Sequence, residues 1–311
     1  MTGARPPFLA VCGHANLDVL LRVKDLPTPG NSSPVLDRQV VRGGNGSNIA
    51  SHAASLGVPT RLWARVGPDF PEDWRDDLVR VGVDVTHLAI VPGSTTPTCY
   101  IFTDPFDRQC FAIDGGPMAA MASDPPLPTL VDGLAPGAWL HVSTGDPLAY
   151  APVVAAARAA GLHVALDPGQ EITFRYDAQS LAGLLSWCDT LFVNEAELRV
   201  AASLLRRSSP EDLLHDVAQL VVTRGAHGAS LYRRGHKSLH APAPRIDRAL
   251  DPTGAGDAFR AGWYAALHQG LPAEEALRWG QAAGAAKTRF IGAQTHLLTQ
   301  AELRPFLSGS S

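Results

Sequence analysis

Four short apolar runs between residues 139 and 223 each end in a polar or glycine-bearing loop, with helical spacing filling the gaps between them. The runs are 139–142, 162–166, 190–193 and 220–223. The loops after them begin Ser143-Thr-Gly-Asp146, Asp167-Pro-Gly-Gln170, Asn194-Glu-Ala-Glu197 and Arg224-Gly225. Runs this short and this continuously apolar predict strands buried on both faces. Strands separated by helices pair through crossovers, which gives a mainly parallel sheet with helices on both faces. The fold class is therefore α/β. All the strand-end loops of such a sheet fall along one edge, where open α/β sheets hold ligands. An earlier run, Phe8-Leu-Ala-Val-Cys-Gly13, delivers His14-Ala-Asn16-Leu-Asp18 to that edge, and residues 60–66 supply another strand.

A fifth unit in this rhythm is the stretch Asp251-Pro-Thr-Gly-Ala-Gly-Asp257, after an extended piece at 242–250 and before a small-residue helix that stops at Gly270. Backbone N–H groups of Gly254, Ala255 and Gly256 can converge at the helix N-terminus, where the helix dipole adds to them. That makes an anion site. Asp257 puts a carboxylate in the same place, where a bound anion would repel it. A general base accounts for it: the carboxylate takes a hydroxyl proton while the amides hold the charge on a transferred phosphoryl group. Taken alone, the segment is equally well a glycine-rich turn with an N-terminal acid.

Other strand-end loops carry ligand-type residues. Asn16 and Asp18 point the same way if the chain stays extended, and an amide beside a carboxylate grips hydroxyl groups. An Asx turn is the plainer alternative. Arg42-Gly43-Gly44-Asn45-Gly46-Ser47-Asn48 opens a helix at 49–56. No Gly-Lys-Ser/Thr follows, so it is not a P-loop, and its spacing is not that of a dinucleotide fingerprint. Gly43 and Gly44 let backbone approach a ligand closely, and Asn48 in the first helical turn reaches the same ligand. Asn194 and Glu197 share a helix face and suit a hydrated Mg²⁺, although acids are common at helix starts. Thr223 and Gly225 offer a hydroxyl and backbone to a nucleotide phosphate. A helix at 272–288 is rich in alanine, leaving room for close packing or a flat base.

Residues 93–114 break the rhythm. Thr98-Cys-Tyr-Ile-Phe-Thr103 and Gln109-Cys-Phe-Ala-Ile113 predict a hairpin outside the main sheet. Together with a polar strand at 34–41 it makes a small β lid, with Tyr100 and Phe102 on the face over the ligand.

Composition excludes several classes. Net charge is −4 and no Lys/Arg run stands out, which argues against nucleic acid or an anionic membrane as partner. No span of about 20 apolar residues exists to cross a bilayer. The four cysteines lack C-x-x-C spacing and predict reduced buried thiols in a soluble, cytoplasmic protein. The eleven histidines have no metal-ligand spacing. No interdomain linker interrupts residues 1–311, which predicts one domain with lid segments at about 14–41 and 93–114; only residues 1–7 and 308–311 look frayed.

Taken together, Gly13-His-Ala-Asn16-Leu-Asp18, Gly43-Gly44-Asn-Gly-Ser-Asn48, Asn194-Glu-Ala-Glu197, Val222-Thr223-Arg-Gly225 and Asp251-Pro-Thr-Gly-Ala-Gly-Asp257 resemble the ribokinase-like (PfkB) family of carbohydrate and nucleoside kinases across nearly the whole chain. The resemblance implies a three-layer α/β/α fold, a mainly parallel sheet and a β lid over the sugar site. It implies Asp257 as catalytic base with Gly254, Ala255 and Gly256 as anion hole. Asn16, Asp18, Gly44 and Asn48 would hold the acceptor, Asn194 and Glu197 Mg²⁺, and Thr223 and Gly225 the nucleotide. Asp251, with the segment 286–294, matches a site for a monovalent cation such as K⁺. Here Arg289-Phe-Ile-Gly292 is one residue longer than the ribokinase pattern, which leaves cation dependence open. ATP is the implied donor. Ser143-Thr-Gly-Asp-Pro147, Asp167-Pro-Gly-Gln170 and Phe192-Val-Asn-Glu resemble the archaeal-type nucleoside kinase branch, so the expected acceptor is a nucleoside or related ribosyl compound. A sugar kinase acting on ribose, fructose or a sugar phosphate stays open. So does a non-catalytic sugar- or nucleoside-binding protein. Lid-to-lid pairing of two copies, common in this family, predicts a homodimer.

Overall fold

The computed structural model describes residues 7–123 and 128–308. The stretches expected to fray lie outside those residues, apart from Pro7 and Ser308. Five parallel strands carry the ligand edge: β1 (Leu9–Cys12), β8 (Trp139–Val142), β9 (His163–Leu166), β10 (Thr190–Asn194) and β11 (Gln219–Thr223). On one flank stand β4 (Thr60–Val66) and β5 (Val83–Ile90), and on the other β12 (Ala229–Arg233) and β13 (Leu239–Ala241). The sheet order is β13-β12-β11-β10-β9-β8-β1-β4-β5.

Alternation along each strand divides the core in two. Leu9 and Val11 face one side and Ala10 and Cys12 the other; Phe192 and Leu191 divide in the same way. The first side is covered by α1 (Asn45–Ser55), α2 (Glu72–Val81), α6 (Ala255–His268), α7 (Ala273–Lys287) and α8 (Gln300–Ser308). The second is covered by α3 (Pro147–Ala159), α4 (Ala178–Leu185) and α5 (Glu195–Leu205). This is the three-layer arrangement that doubly buried strands require. Helices α6 and α7 pack with their backbones close: a side chain on Gly262 would meet the Trp279 carbonyl oxygen at 2.5 Å. No helix among the described residues is long and apolar enough to cross a membrane.

Register sets the ligand edge. Cys12 pairs with Val142 and Val142 with Leu166, so those three strands end level; Leu166 pairs with Leu191, and β10 and β11 run on together to Asn194 and Thr223, three residues farther.

The fifth unit departs from expectation. After β11 the chain does not enter another parallel strand; β12 and β13 run antiparallel, and residues 242–250 lie outside the sheet. A tight turn, Arg224 to Gly228, lets the chain double back with no crossover helix to demand a parallel partner. Helix α1 starts at Asn45 rather than Ile49, because Gly44 (φ +90°) turns the chain before the apolar residues begin.

The lid is a second sheet of order β3-β2-β6-β7, built from β2 (Asn16–Val23), β3 (Val35–Gly43), β6 (Thr98–Thr103) and β7 (Gln109–Asp114). Strand β2 joins the expected hairpin to the expected polar strand, and it begins at Asn16, so the residues expected to hold the acceptor start the lid. The four cysteines are free; Cys12 and Cys188 are buried, whereas Cys99 and Cys110 are half-buried in the lid.

Candidate active site

A cavity of about 420 Å³ lies between the strand ends and the lid, lined by Asn16, Asp18, Gly44, Asn194, Glu197, Thr223, Gly256 and Asp257 among others. Residues from segments scattered over most of the sequence thus meet in one place. Asp257 sits in the first turn of α6, after Gly254 in a left-handed conformation (φ +76°). Only glycine fits there, since a Cβ would lie 2.8 Å from the Ala293 Cβ. The Ala255 amide, expected in an anion hole, is already bonded to the Pro252 carbonyl at 3.0 Å. Ala255 closes the turn that aims its neighbours, and the Gly254 and Gly256 amides have no acceptor among the described residues.

Asp257 accepts a 2.7 Å hydrogen bond from Asn48 Nδ2. Burial pushes its pKa up to about 7, against the opposing effects of Asn48 and Arg260. Asn48, expected on the acceptor, is tied to Asp257, and Gln294 Nε2 holds its Oδ1 at 2.7 Å. Asp18 is also raised, to about 6, by burial, while a 2.6 Å bond from Asn16 favours its ionised form. Gly43 makes no wall of the cavity; it leaves room for the Asp18 carboxylate, which a Cβ would overlap.

Asn194 caps α5 and forms a reciprocal box with Glu197. Its Oδ1 accepts from the Glu197 amide at 2.9 Å, and its own amide and Nδ2 each donate to Glu197 at 2.8 Å. As local structure the pair is therefore a capping box. Both side chains nevertheless line the cavity. Burial, then Asp167, raises the Glu197 pKa.

The lid's inner face is the opposite of the one expected. Asp18 pairs with Cys99, and Cys99 with Ile113, so these residues share the face over the cavity. Strand alternation then turns Tyr100 and Phe102 outward.

Sequence reasoning missed Arg260. It stands one turn after Asp257 on the same helix face, a spacing that was available as a signal. Its guanidinium donates to Asp167 at 2.8 and 3.1 Å and lies over the Phe192 ring. Burial opposes ionisation of Asp167, but Arg260 first and His141 second bring its pKa down to about 2. A cation is thereby fixed at the cavity floor.

A second cavity, of about 540 Å³, is mostly apolar and includes Gly225, Ala226, Ile246, Phe259, Gln281 and Gly284 in its walls. Thr223 and Gly256 line both cavities, so the two meet at the glycine loop. Asp251 lines neither; its carboxylate accepts from the Thr253 and Gly292 amides.

The model of the pfkB family of carbohydrate kinases matches residues 7–300. This chain belongs to that family. Within it, a nucleoside kinase of Methanocaldococcus jannaschii is 29% identical over 96% of this chain and 95% of its own length. An ATP-dependent ribose-1-phosphate kinase of Halopiger xanaduensis is 30% identical, with coverage of 91% and 92%. The crystal structure of the M. jannaschii nucleoside kinase, an archaeal member of the ribokinase family, matches with TM-score 0.89 and 27% identity over 98% and 99% of the two chains. The Burkholderia thailandensis nucleoside kinase in complex with inosine matches with TM-score 0.87 and 25% identity over 97% and 98%. The chain is a pfkB family kinase with the ribokinase fold.

Proposed function

We propose that this pfkB family kinase transfers the γ-phosphoryl group of ATP to a primary hydroxyl of a nucleoside or related ribosyl acceptor. The observation that carries the proposal is the meeting of a polar and an apolar cavity at Gly256, beside Asp257. An acceptor in the first and an adenine in the second place their reacting ends at the glycine loop. Asp18 and Asn16 hold ribosyl hydroxyls. Asp257 takes the proton of the attacking hydroxyl, and the Gly254 and Gly256 amides hold the charge that develops on the phosphoryl oxygens. Thr223 and Gly225 hold the nucleotide side. Arg260 lies one turn below and offsets the anionic charge gathered at the cavity floor.

Mg²⁺ fits Asn194 and Glu197 as a hydrated ion, since each Glu197 oxygen takes one hydrogen bond from Asn194 and keeps lone pairs for water. When bound, it would neutralise phosphate charge.

A nucleoside is favoured over a free sugar by the far end of the acceptor cavity. There Asn45, Thr144 and Gln170 present polar groups, and Cys99 and Ile113 an apolar surface. Asn45 Oδ1 already accepts from Thr144 Oγ1 at 2.9 Å and the Gly46 amide at 2.8 Å, which leaves its Nδ2 to donate to a base edge. The relatives named nucleoside kinase support the same acceptor. The ribose-1-phosphate kinase relative supports the second reading, a sugar phosphate. Turnover with ATP and Mg²⁺ over a panel of nucleosides, free sugars and ribose 1-phosphate separates them. Nucleosides should exceed ribose in kcat/KM by at least about tenfold, the worth of one well-made polar contact. Equal or better turnover of ribose 1-phosphate replaces the nucleoside with that acceptor.

The proposed assembly is a homodimer joined by the lids. Its support is the outward apolar face, where Val40 and Tyr100 are exposed.

A further inference from the structure

A monovalent cation at Asp251 and residues 286–294 needs oxygen atoms free to replace its water shell. Several of the oxygens present already accept hydrogen bonds. Asp251 accepts from the Thr253 amide at 2.9 Å and the Gly292 amide at 2.7 Å. The Thr288 carbonyl accepts from the Leu250 and Asp251 amides, the Ile291 carbonyl from the Thr295 hydroxyl, and the Ala293 carbonyl from the His52 ring. The Phe290 carbonyl is taken at 3.1 Å by the ammonium of Lys287. A cation, the Lys287 ammonium, therefore already sits within this segment.

Lys287 has none of its surface exposed. A buried ammonium is costly without nearby negative charge. Here Asp251 and Asp257 both favour its charged form, against burial. Its segment also supports the chemistry. Ala293 packs on Gly254, and Gln294 holds Asn48, which holds Asp257. A positive charge at this position therefore braces both the anion hole and the base.

We infer that the Lys287 ammonium does the bracing that a bound monovalent cation would do, so turnover needs no K⁺, and removing the ammonium creates a need for one. Lys287 is a positioning residue, and the inference rests on Gly254 and Gly256 forming the anion hole proposed above.

The test compares chloride salts of K⁺, Na⁺ and tetramethylammonium at one ionic strength. Wild-type kcat should agree within about twofold in all three, because the charge is covalently supplied. Lys287→Ala should lose at least about tenfold in tetramethylammonium and regain most of it in K⁺ or NH₄⁺, which enter the vacated space. Lys287→Met fills that space, so it should be slowed in every salt. Melting of the ligand-free protein gives a readout that does not depend on the acceptor: the wild type should melt alike in all salts, and Lys287→Ala higher in K⁺. A wild type that K⁺ activates or stabilises overturns the inference. So does a folded Lys287→Ala protein that K⁺ does not restore. If no acceptor is turned over, the proposed function fails, and melting alone still decides the role of Lys287.

Discussion

Asn48 and Asp257 stand 209 positions apart in the chain, yet Asn48 Nδ2 donates to Asp257 Oδ2 at 2.7 Å. Gln294 fixes the other end of the amide, so the donor cannot turn away. One carboxylate oxygen is thus committed, and the other is left for the acceptor's proton. The bond also stabilises the ionised form against the burial that raises the pKa to about 7. The same contact positions Asp257 and keeps it ionisable near neutral pH.

The acid limb of kcat/KM follows from this. As the proposed base Asp257 works ionised, so activity should rise with pH and level off above about 7. Below that, the rate should fall by about tenfold per pH unit. Asn48→Ala removes a contact that favours the carboxylate and should move the limb to higher pH. A limb lying near pH 4 in the wild type would remove Asp257 from the role.

Asp257→Asn should lower kcat by at least about 10²-fold while ligands still bind. Its stability should change in the opposite sense. A carboxyl whose pKa is raised on folding contributes stability below its unfolded value of 3.8 and loses it as pH rises through about 7. The asparagine has no such loss. It should melt higher than the wild type at pH 8, by roughly 1–4 kcal/mol, with the difference shrinking by pH 5. Melting curves at both pH values check the sign.

Asp18→Ala should weaken acceptor binding by roughly 1.5–3 kcal/mol, the size of hydrogen bonds to a charged group. Nucleotide affinity should hardly change, because Asp18 lines the polar cavity alone. Calorimetry that finds ATP binding lost and acceptor binding intact means the two half-sites have been exchanged.

Glu197→Gln separates metal binding from capping. Losing the carboxylate should raise the Mg²⁺ concentration for half activity by about tenfold. The weakened capping box should cost about 0.5–2 kcal/mol of stability as well. If only the melting temperature moves, Glu197 serves Asn194 and not the ion.

The lid makes a paired prediction from strand alternation. Ile113→Ala, on the inner face, should raise acceptor KM by about threefold to tenfold through lost apolar contact. Tyr100→Glu, on the outer face, should leave KM near the wild-type value and shift a lid-joined dimer to monomer. Light scattering of the wild type at micromolar concentration comes first; a clean monomer excludes that dimer.

The glycine loop, the strand-end motifs and the α/β rhythm were legible in sequence because each depends on local rules: apolar continuity, helix starts, and backbone that only glycine permits. From them came the fold, the family and the residues Asn16, Asp18, Glu197, Thr223 and Asp257, all of which line the acceptor cavity. What local rules could not supply was direction and partnership. Whether Tyr100 or Cys99 faces the acceptor turns on one residue of register between β2 and β6, which long-range pairing fixes and spacing does not. Asn48 became a partner of Asp257 only when α1 and α6 were packed side by side. Arg260 and Lys287 read as ordinary helix residues until the fold buried them against Asp167 and beside Asp251. Charge in a low-dielectric interior is settled by what surrounds it, and the surroundings come from segments that only tertiary structure brings together.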